Sequence, residues 1–283
     1  MVNKKKILVT GSNGQLGRSF REISDDYPFD FFFKSKSDLN IIDKKSIYNF
    51  VREKNINCLI NCAAYTNVEE AEKNPEKAYL VNSIAVGHLA EICSHLRVQL
   101  IHISTDFIFD GVKKTAYTEL DQMNPINNYG KSKLEGEYKI LNSSLKNSLI
   151  IRTSWLYSKF GNNFVNNIIN NMATNDFISV VDDQFGSPTN SLDLASVILQ
   201  IIPRIANQNP EIYNFANLGY CSRHDFAVSI KKLLKNNVEI KKIKSTSLVQ
   251  RPKFSPLSSE KIKNNFNLEI FDWKSSLINL LKK

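Results

Sequence analysis

Short apolar runs alternate with helix-spaced segments through the first half of the chain, and this alternation limits the possible folds. Lys6–Thr10, Phe29–Phe33, Cys58–Asn61, Gln99–Ser104 and Leu149–Thr153 read as strands. Between them, Gln15–Ile23, Ile47–Glu53, Pro75–Cys93 and Tyr129–Leu141 read as helices; Ala78, Val81, Ala85, Leu89 and Ile92 recur at the three-to-four spacing of one helical face. Strands separated by helices pair in parallel, with the crossover helices covering both faces of the sheet. Ligands in such sheets sit beyond the carboxyl ends of the strands. Thr10, Asn61, Ser104 and Thr153, polar residues that close apolar runs, are placed there.

The loop after the first strand is Gly11-Ser12-Asn13-Gly14-Gln15-Leu16-Gly17. Glycines let a backbone turn sharply and approach a pyrophosphate, which then meets the free N–H groups of a helix N-terminus. The strand before and the helix after make this a dinucleotide loop. The fold expected is therefore α/β, a Rossmann-like doubly wound parallel sheet, with residues 1–154 as the dinucleotide-binding domain. An acid closing the second strand would accept from a ribose 2′-hydroxyl. Here Lys34, Ser35 and Lys36 stand in its place, and Arg18 follows the glycines. These cations suit a 2′-phosphate and favour NADPH, with NADH still possible.

The second half is less regular. Phe164–Met172 and Asp193–Ile202 read as helices, and Phe177–Val181 and Val238–Ile243 as strands. Ser222 would cap a helix over Asp225–Leu234, and Ser258 or Ser259 one ending near Phe266. Residues 155–283 are expected to form mainly a smaller, mixed α/β substrate-binding domain, with part of this chain returning to the first sheet.

Several function classes are excluded. With 42% apolar and 23% charged residues, the 283-residue chain is an ordinary globular one. No apolar run approaches the ~20 residues that span a bilayer, and the apolar stretch after the basic N-terminus is too short for a secretion signal. A cytoplasmic protein is expected, with Cys58, Cys62, Cys93 and Cys221 as reduced, packed thiols. The net charge of +9 is local: residues 231–283 hold 13 Lys and Arg against 4 Asp and Glu, whereas residues 1–230 balance 24 against 24. The basic region lacks an aromatic ladder for stacking bases, so no nucleic-acid partner is expected.

Tyr129 and Lys133 lie four apart and share a helical face. A phenol titrating near 10 is a poor acid at neutral pH, and a nearby ammonium would lower that value. Ser104-Thr105-Asp106 closes a strand earlier in the chain, where a hydroxyl can hold a carbonyl oxygen that the tyrosine protonates. His102, inside that strand, reads as packed rather than catalytic.

Together the glycine loop, Asn61-Cys62-Ala63-Ala64, Ser104-Thr105-Asp106 and Tyr129…Lys133 resemble the extended short-chain dehydrogenase/reductases. Arg152-Thr153-Ser154-Trp155-Leu156-Tyr157, Gly161-Asn162-Asn163-Phe164, Asp183-Gln184-Phe185-Gly186-Ser187-Pro188-Thr189 and Arg251-Pro252 narrow the resemblance to the dTDP-4-dehydrorhamnose reductase family. It covers Lys6 to about Trp273.

The resemblance implies roles for these positions. Gly11, Gly14, Gln15, Leu16 and Gly17 would face the cofactor pyrophosphate, Lys34 its ribose end, and Asn40 and Ile41 its adenine. Ala63, Ala64 and Tyr65 would flank the cofactor, and Thr66 the substrate entrance. Asn82 would support the lysine through water. Ser104, Thr105 and Asp106 would meet the sugar, with Thr105 polarising its carbonyl. Tyr129 would donate the proton, while Lys133 would bind the nicotinamide ribose and depress the tyrosine. Trp155 would pack on the deoxysugar, beside Asn163. Gln184 and Arg251 would hold the nucleotide end and its diphosphate.

In the family, Asp often stands where this chain has Asn40. Some members join two subunits through magnesium on glutamates, one of which is replaced here by Ser19. No metal is expected, and a homodimer remains open. The activity implied is NADPH-dependent reduction of dTDP-4-dehydro-L-rhamnose to dTDP-L-rhamnose for polysaccharide synthesis. The alternatives are another nucleotide-sugar reductase or epimerase, or a non-catalytic relative such as the regulatory subunit of methionine adenosyltransferase.

Overall fold

The computed structural model describes residues 4–282; the ends of the two expected domains, at residues 1–3 and 283, lie outside the described residues. In chain order the elements are β1 (Lys5–Thr10), α1 (Gln15–Ile23), β2 (Phe29–Lys34), α2 (Lys44–Glu53), β3 (Cys58–Asn61), α3 (Val68–Lys73) and α4 (Pro75–Tyr79). After a π-helical turn at Leu80–Ile84 come α5 (Ala85–Leu96), β4 (Gln99–Thr105), α6 (Asn128–Leu141), β5 (Leu149–Thr153) and β6 (Leu156–Tyr157). The rest is α7 (Phe164–Thr174), β7 (Phe177–Val181), β8 (Phe185–Gly186), β9 (Thr189–Asn190), α8 (Ser191–Ile201), β10 (Glu211–Asn214), β11 (Cys221–Ser222), α9 (Arg223–Leu233), β12 (Glu239–Ile243), α10 (Glu260–Phe266) and α11 (Trp273–Leu281).

The main sheet has six strands in the order β10-β5-β4-β3-β1-β2, every pair parallel. The chain leaves β1 toward β2 on one side and resumes at β3 on the other, so a crevice opens between β1 and β3 at the carboxyl edge. Side-chain alternation builds two cores. Ile7, Val9, Ile60, Ile101 and Ile151 face Leu16, Phe20, Leu194 and Ile198 on one side. Leu8, Leu59, Leu100 and Ile150 face Ile47, Val51, Val86 and Leu89 on the other. Burial on both faces is why these strands read as continuous apolar runs.

A third core joins Tyr157, Val165, Ile168, Phe226, Ile230 and Trp273 away from the main sheet. There β7 and β12 pair in parallel. The later chain does return to the first sheet: Glu211–Asn214 pairs with Leu149–Arg152. The helix expected over Pro75–Cys93 is interrupted by the π turn and continues to Leu96, where Arg97 ends it in the left-handed region at φ 55°. The Ser222 cap forms, its hydroxyl accepting from the Asp225 N–H at 3.0 Å. Ser259 precedes α10 without capping it; its hydroxyl instead closes onto the Ala216 backbone N–H and carbonyl at 2.9 and 2.8 Å.

Candidate active site

The crevice at the switch point opens into a cavity of about 1180 Å³ that runs from the glycine loop to Trp155. At one end, Gly11 has φ 66°, and a Cβ there would lie 2.7 Å from the Ala63 nitrogen. A Cβ on Gly17 would lie 2.5 Å from the Ser12 Cα. Gly17 therefore lets α1 pack closely on the loop and does not itself line the cavity. Gly14 does line it and precedes α1 in extended conformation, leaving that helix's first N–H groups toward the opening.

Ser35, Lys36, Ser37, Asn40 and Ile41 form the wall after β2. Lys34 does not: strand alternation turns it to the α2 side, where its ammonium lies 5.0 Å from the centre of the Phe50 ring. Ala63, Ala64, Tyr65 and Thr66 line the cavity after β3. Asn82, on the π turn, is buried and stays out of it. Its amide accepts from Tyr65 N–H at 2.8 Å and donates to Tyr65 O and Ser132 Oγ, each at 3.0 Å. It clamps the β3 loop onto α6, with no hydrogen bond to Lys133 among the described residues.

Tyr129, Thr105 and Lys133 share one wall of the cavity. Asn127 caps α6 by accepting from Gly130 N–H at 2.8 Å. A Cβ on Gly130 would lie 2.1 Å from the Phe107 carbonyl, so only glycine lets this helix start against the β4 loop. Farther along α6, Glu137 is held by Arg152 of β5 at 2.6 Å, with both side chains fully buried. Glu137 also accepts from Ser104 Oγ. The Ser104 hydroxyl donates to the carboxylate that holds α6 on the sheet, and Ser104 also lines the cavity.

Burial pushes the Tyr129 phenol up to about 12, with the nearby Thr105 hydroxyl pulling the other way. Lys133 Nζ lies 3.0 Å from His102 Nε2 and 2.6 Å from Ile103 O, and it is not among the groups that lower Tyr129. Burial brings Lys133 itself down to about 8. His102 is packed, as expected, but it is also the direct partner of Lys133. Next to Thr105, burial raises Asp106 to about 6 against the hydroxyl of Ser255, which donates at 2.6 Å.

At the far end Trp155 adopts φ 45°, in the left-handed region that bulky side chains rarely occupy. A second cavity of about 870 Å³ adjoins here, lined by Gln184, Arg251 and Asn163 and sharing Trp155 and Arg223 with the first. Asn163 is consumed by structure: its amide caps α7 at Asn166 N–H and donates to Ser158 O at 2.9 Å. Arg251 reaches back to a salt bridge with Glu69. Ser19 is buried between α1 and α8, its hydroxyl 2.6 Å from that of Ser191.

Residues 5–283 match the family described as the RmlD substrate binding domain. The chain belongs to that family. It is 37% identical over 288 residues to a dTDP-4-dehydrorhamnose reductase of Aggregatibacter actinomycetemcomitans, covering 97% of this chain and 98% of that one. Among solved structures, a dTDP-4-dehydrorhamnose reductase from Clostridium acetobutylicum superposes with a TM-score of 0.92 at 36% identity, covering 98% of each chain. The Bacillus anthracis dTDP-4-dehydrorhamnose reductase, solved in complex with NADP, superposes at 0.94 with 33% identity and 99% of each chain.

In this RmlD-family chain two motifs far apart in sequence meet at the indole. A Cβ on Gly186 would lie 2.4 Å from Trp155 Cε2, so the glycine of Asp183–Thr189 makes the floor on which Trp155 lies. Its other partner was missed from sequence. The guanidinium of Arg223 sits 3.6 Å from the centre of the Trp155 ring and faces both cavities. Nothing in Ser222-Arg223-His224 marked it, because its position depends on β11 pairing with β8.

Proposed function

We propose that this chain is a nicotinamide-dependent oxidoreductase that reduces the C4 ketone of dTDP-4-dehydro-L-rhamnose to dTDP-L-rhamnose, for polysaccharide synthesis. The observation that carries this reading is the placement of Tyr129, Thr105 and Lys133 on one wall of a cavity that begins at a glycine loop. Relatives named dTDP-4-dehydrorhamnose reductase, matching nearly end to end, support it.

The residues present fit the cofactor. Gly11 and Gly14 expose backbone at two points of the loop, and Gln15 and Leu16 open α1 toward the crevice. These four residues would take the pyrophosphate, and Asn40 and Ile41 the adenine. Ala63, Ala64, Tyr65 and Lys133 would flank the nicotinamide end. The NADP found in the Bacillus anthracis structure and the cation Lys36 beside Ser35 and Ser37 favour NADPH over NADH. NADPH supplies a hydride. Thr105 holds the ketone oxygen, and Tyr129 transfers its phenolic proton to that oxygen as the alcohol forms.

Residues 1–154 serve mainly the cofactor and residues 155–283 mainly the substrate. Trp155 receives the sugar face, and Asp106 and Thr66 border it. Arg223 and Arg251, with Gln184, provide the cationic ground for a diphosphate, which guanidinium groups bind through paired hydrogen bonds. Among the described residues no helix is long and apolar enough to cross a membrane. A reduced nicotinamide cofactor and four free cysteines suit a cytoplasmic protein. Ser19, closed onto Ser191, supports a protein that needs no metal.

The test is NADPH consumption with a panel of nucleotide-linked 4-keto-6-deoxy sugars, followed by NMR of the product. Oxidation of NADPH with formation of dTDP-L-rhamnose is expected. An epimerised ketone without net oxidation would replace this reading with an epimerase. Binding without turnover of any sugar would replace it with a regulatory protein.

A further inference from the structure

Lys133 ends a chain of buried polar side chains whose hydrogen-bond directions are fixed from the far end. The Ala63 N–H and the Thr10 hydroxyl both point at Asn61 Oδ1, at 3.2 and 2.7 Å. Asn61 Nδ2 lies 3.0 Å from His102 Nδ1, and His102 Nε2 lies 3.0 Å from Lys133 Nζ. Lys133 Nζ also lies 2.6 Å from Ile103 O. Thr10, Asn61, His102 and Lys133 are all at most 2% exposed.

A backbone N–H can only donate, so the atom of Asn61 facing Ala63 must be its oxygen. Its NH₂ group then faces His102, and that group also only donates. His102 Nδ1 must therefore accept and carries no proton. Burial holds His102 well below its usual titration range, so the ring is neutral and its one proton sits on Nε2. That proton points at Lys133 Nζ. An ammonium has only donors to offer and would oppose it, whereas a neutral amine offers a lone pair and still donates a hydrogen to Ile103 O.

We propose that His102 is a positioning residue, locked by Asn61 as the Nε2–H tautomer, that favours the neutral amine of Lys133 over its ammonium in the ligand-free protein. Protonation of Lys133 then requires it to leave His102, so its charge and its place are coupled. The other groups facing Lys133 do not replace this control. Glu137, one turn along α6, favours the charged lysine but is itself paired with Arg152. Burial pushes the Cys62 thiol up, and Tyr129, one turn earlier, is pushed to about 12, so neither supplies charge. The tautomer stands on hydrogen-bond direction alone; its consequence for turnover rests on the reductase reading.

The experiment is NMR on the ligand-free full chain labelled with ¹⁵N in histidine and lysine. His102 should show the Nε2–H tautomer, and Lys133 Nζ should titrate below the ordinary lysine range. His102→Gln can present an amide N–H to Lys133 and an oxygen to Asn61, and should leave that titration in place. His102→Leu removes the donor and should move it up by roughly one pH unit, about the worth of one hydrogen bond. An Nδ1–H tautomer, an imidazolium, or a Lys133 titration unchanged by His102→Leu would overturn the proposal. None of these readouts needs turnover, so failure to oxidise NADPH would count against the reductase reading alone.

Discussion

The guanidinium of Arg223 lies over the Trp155 indole, whose ring also packs on Gly186. An arginine held this way keeps its hydrogen-bonding edge free for an anion. Arg223→Leu should raise the KM for the sugar nucleotide about tenfold or more, as expected when hydrogen bonds to a charged group are lost. NADPH affinity should stay within a few-fold. Gly186→Ala would force the indole to move and should lower stability by about 1–3 kcal/mol, the usual cost of overpacking. Steady-state kinetics on the first variant and urea unfolding on the second check these outcomes. An unchanged sugar-nucleotide KM would remove Arg223 from the site.

Tyr129→Phe removes only the proton that the alcohol needs. We expect kcat to fall by roughly 10²–10⁴, the usual worth of a positioned acid. NADPH affinity, measured by fluorescence titration, should remain close to that of the native chain. Near-native turnover would remove Tyr129 as the proton donor.

Cofactor preference separates two lysines that stand two apart. Lys36 borders the cavity, whereas Lys34 lies over Phe50. Lys36→Ser should lower the NADPH-over-NADH ratio of kcat/KM, and Lys34→Ser should leave it nearly unchanged. Equal effects would mean that selection does not act through the wall after β2.

Asp106 ties stability to pH. Its carboxyl is raised from 3.8 to about 6 by burial, so between these values the folded state binds more protons than the unfolded chain. The stabilisation is complete at the acid end and is lost as pH rises through about 6. Asp106→Asn carries no such penalty. Its stability relative to the native chain should therefore climb between about pH 4 and 7 and level off above. Urea midpoints at several pH values measure this, and a constant difference would contradict the buried charge.

Much of this arrangement is legible in sequence wherever the signal is local. Periodicity places Gln15–Ile23, Cys58–Asn61, Leu149–Thr153 and Phe177–Val181 at their observed limits, because each ends at a turn or polar residue. Contacts made across the fold are not local. Lys34 reads as a cofactor cation until the alternation of β2 is seen to aim it at Phe50. Asn163 carries a suitable amide, yet its atoms are spent on internal bonds, and the Ser104 hydroxyl donates to Glu137. Arg223 and the pairing of His102 with Lys133 emerge only when β11 meets β8 and when α6 crosses β4. Of the four residues of β10 only Ile212 and Tyr213 are apolar, so it lacks the run that marks β3.

That short strand has a consequence for taking the protein apart. Glu211–Asn214 covers the flank of β5, and α8, also from the second half, supplies Leu194 and Ile198 to the core beneath α1. A fragment cut at residue 154 would leave β5 as a naked edge and strip one face of the sheet of the apolar cover that α8 gives it. Such edges recruit other chains. Cofactor and substrate specificity are thus not separable modules: a chimera that exchanges the second half must carry its own compatible sixth strand and eighth helix, or it will aggregate before it can be assayed.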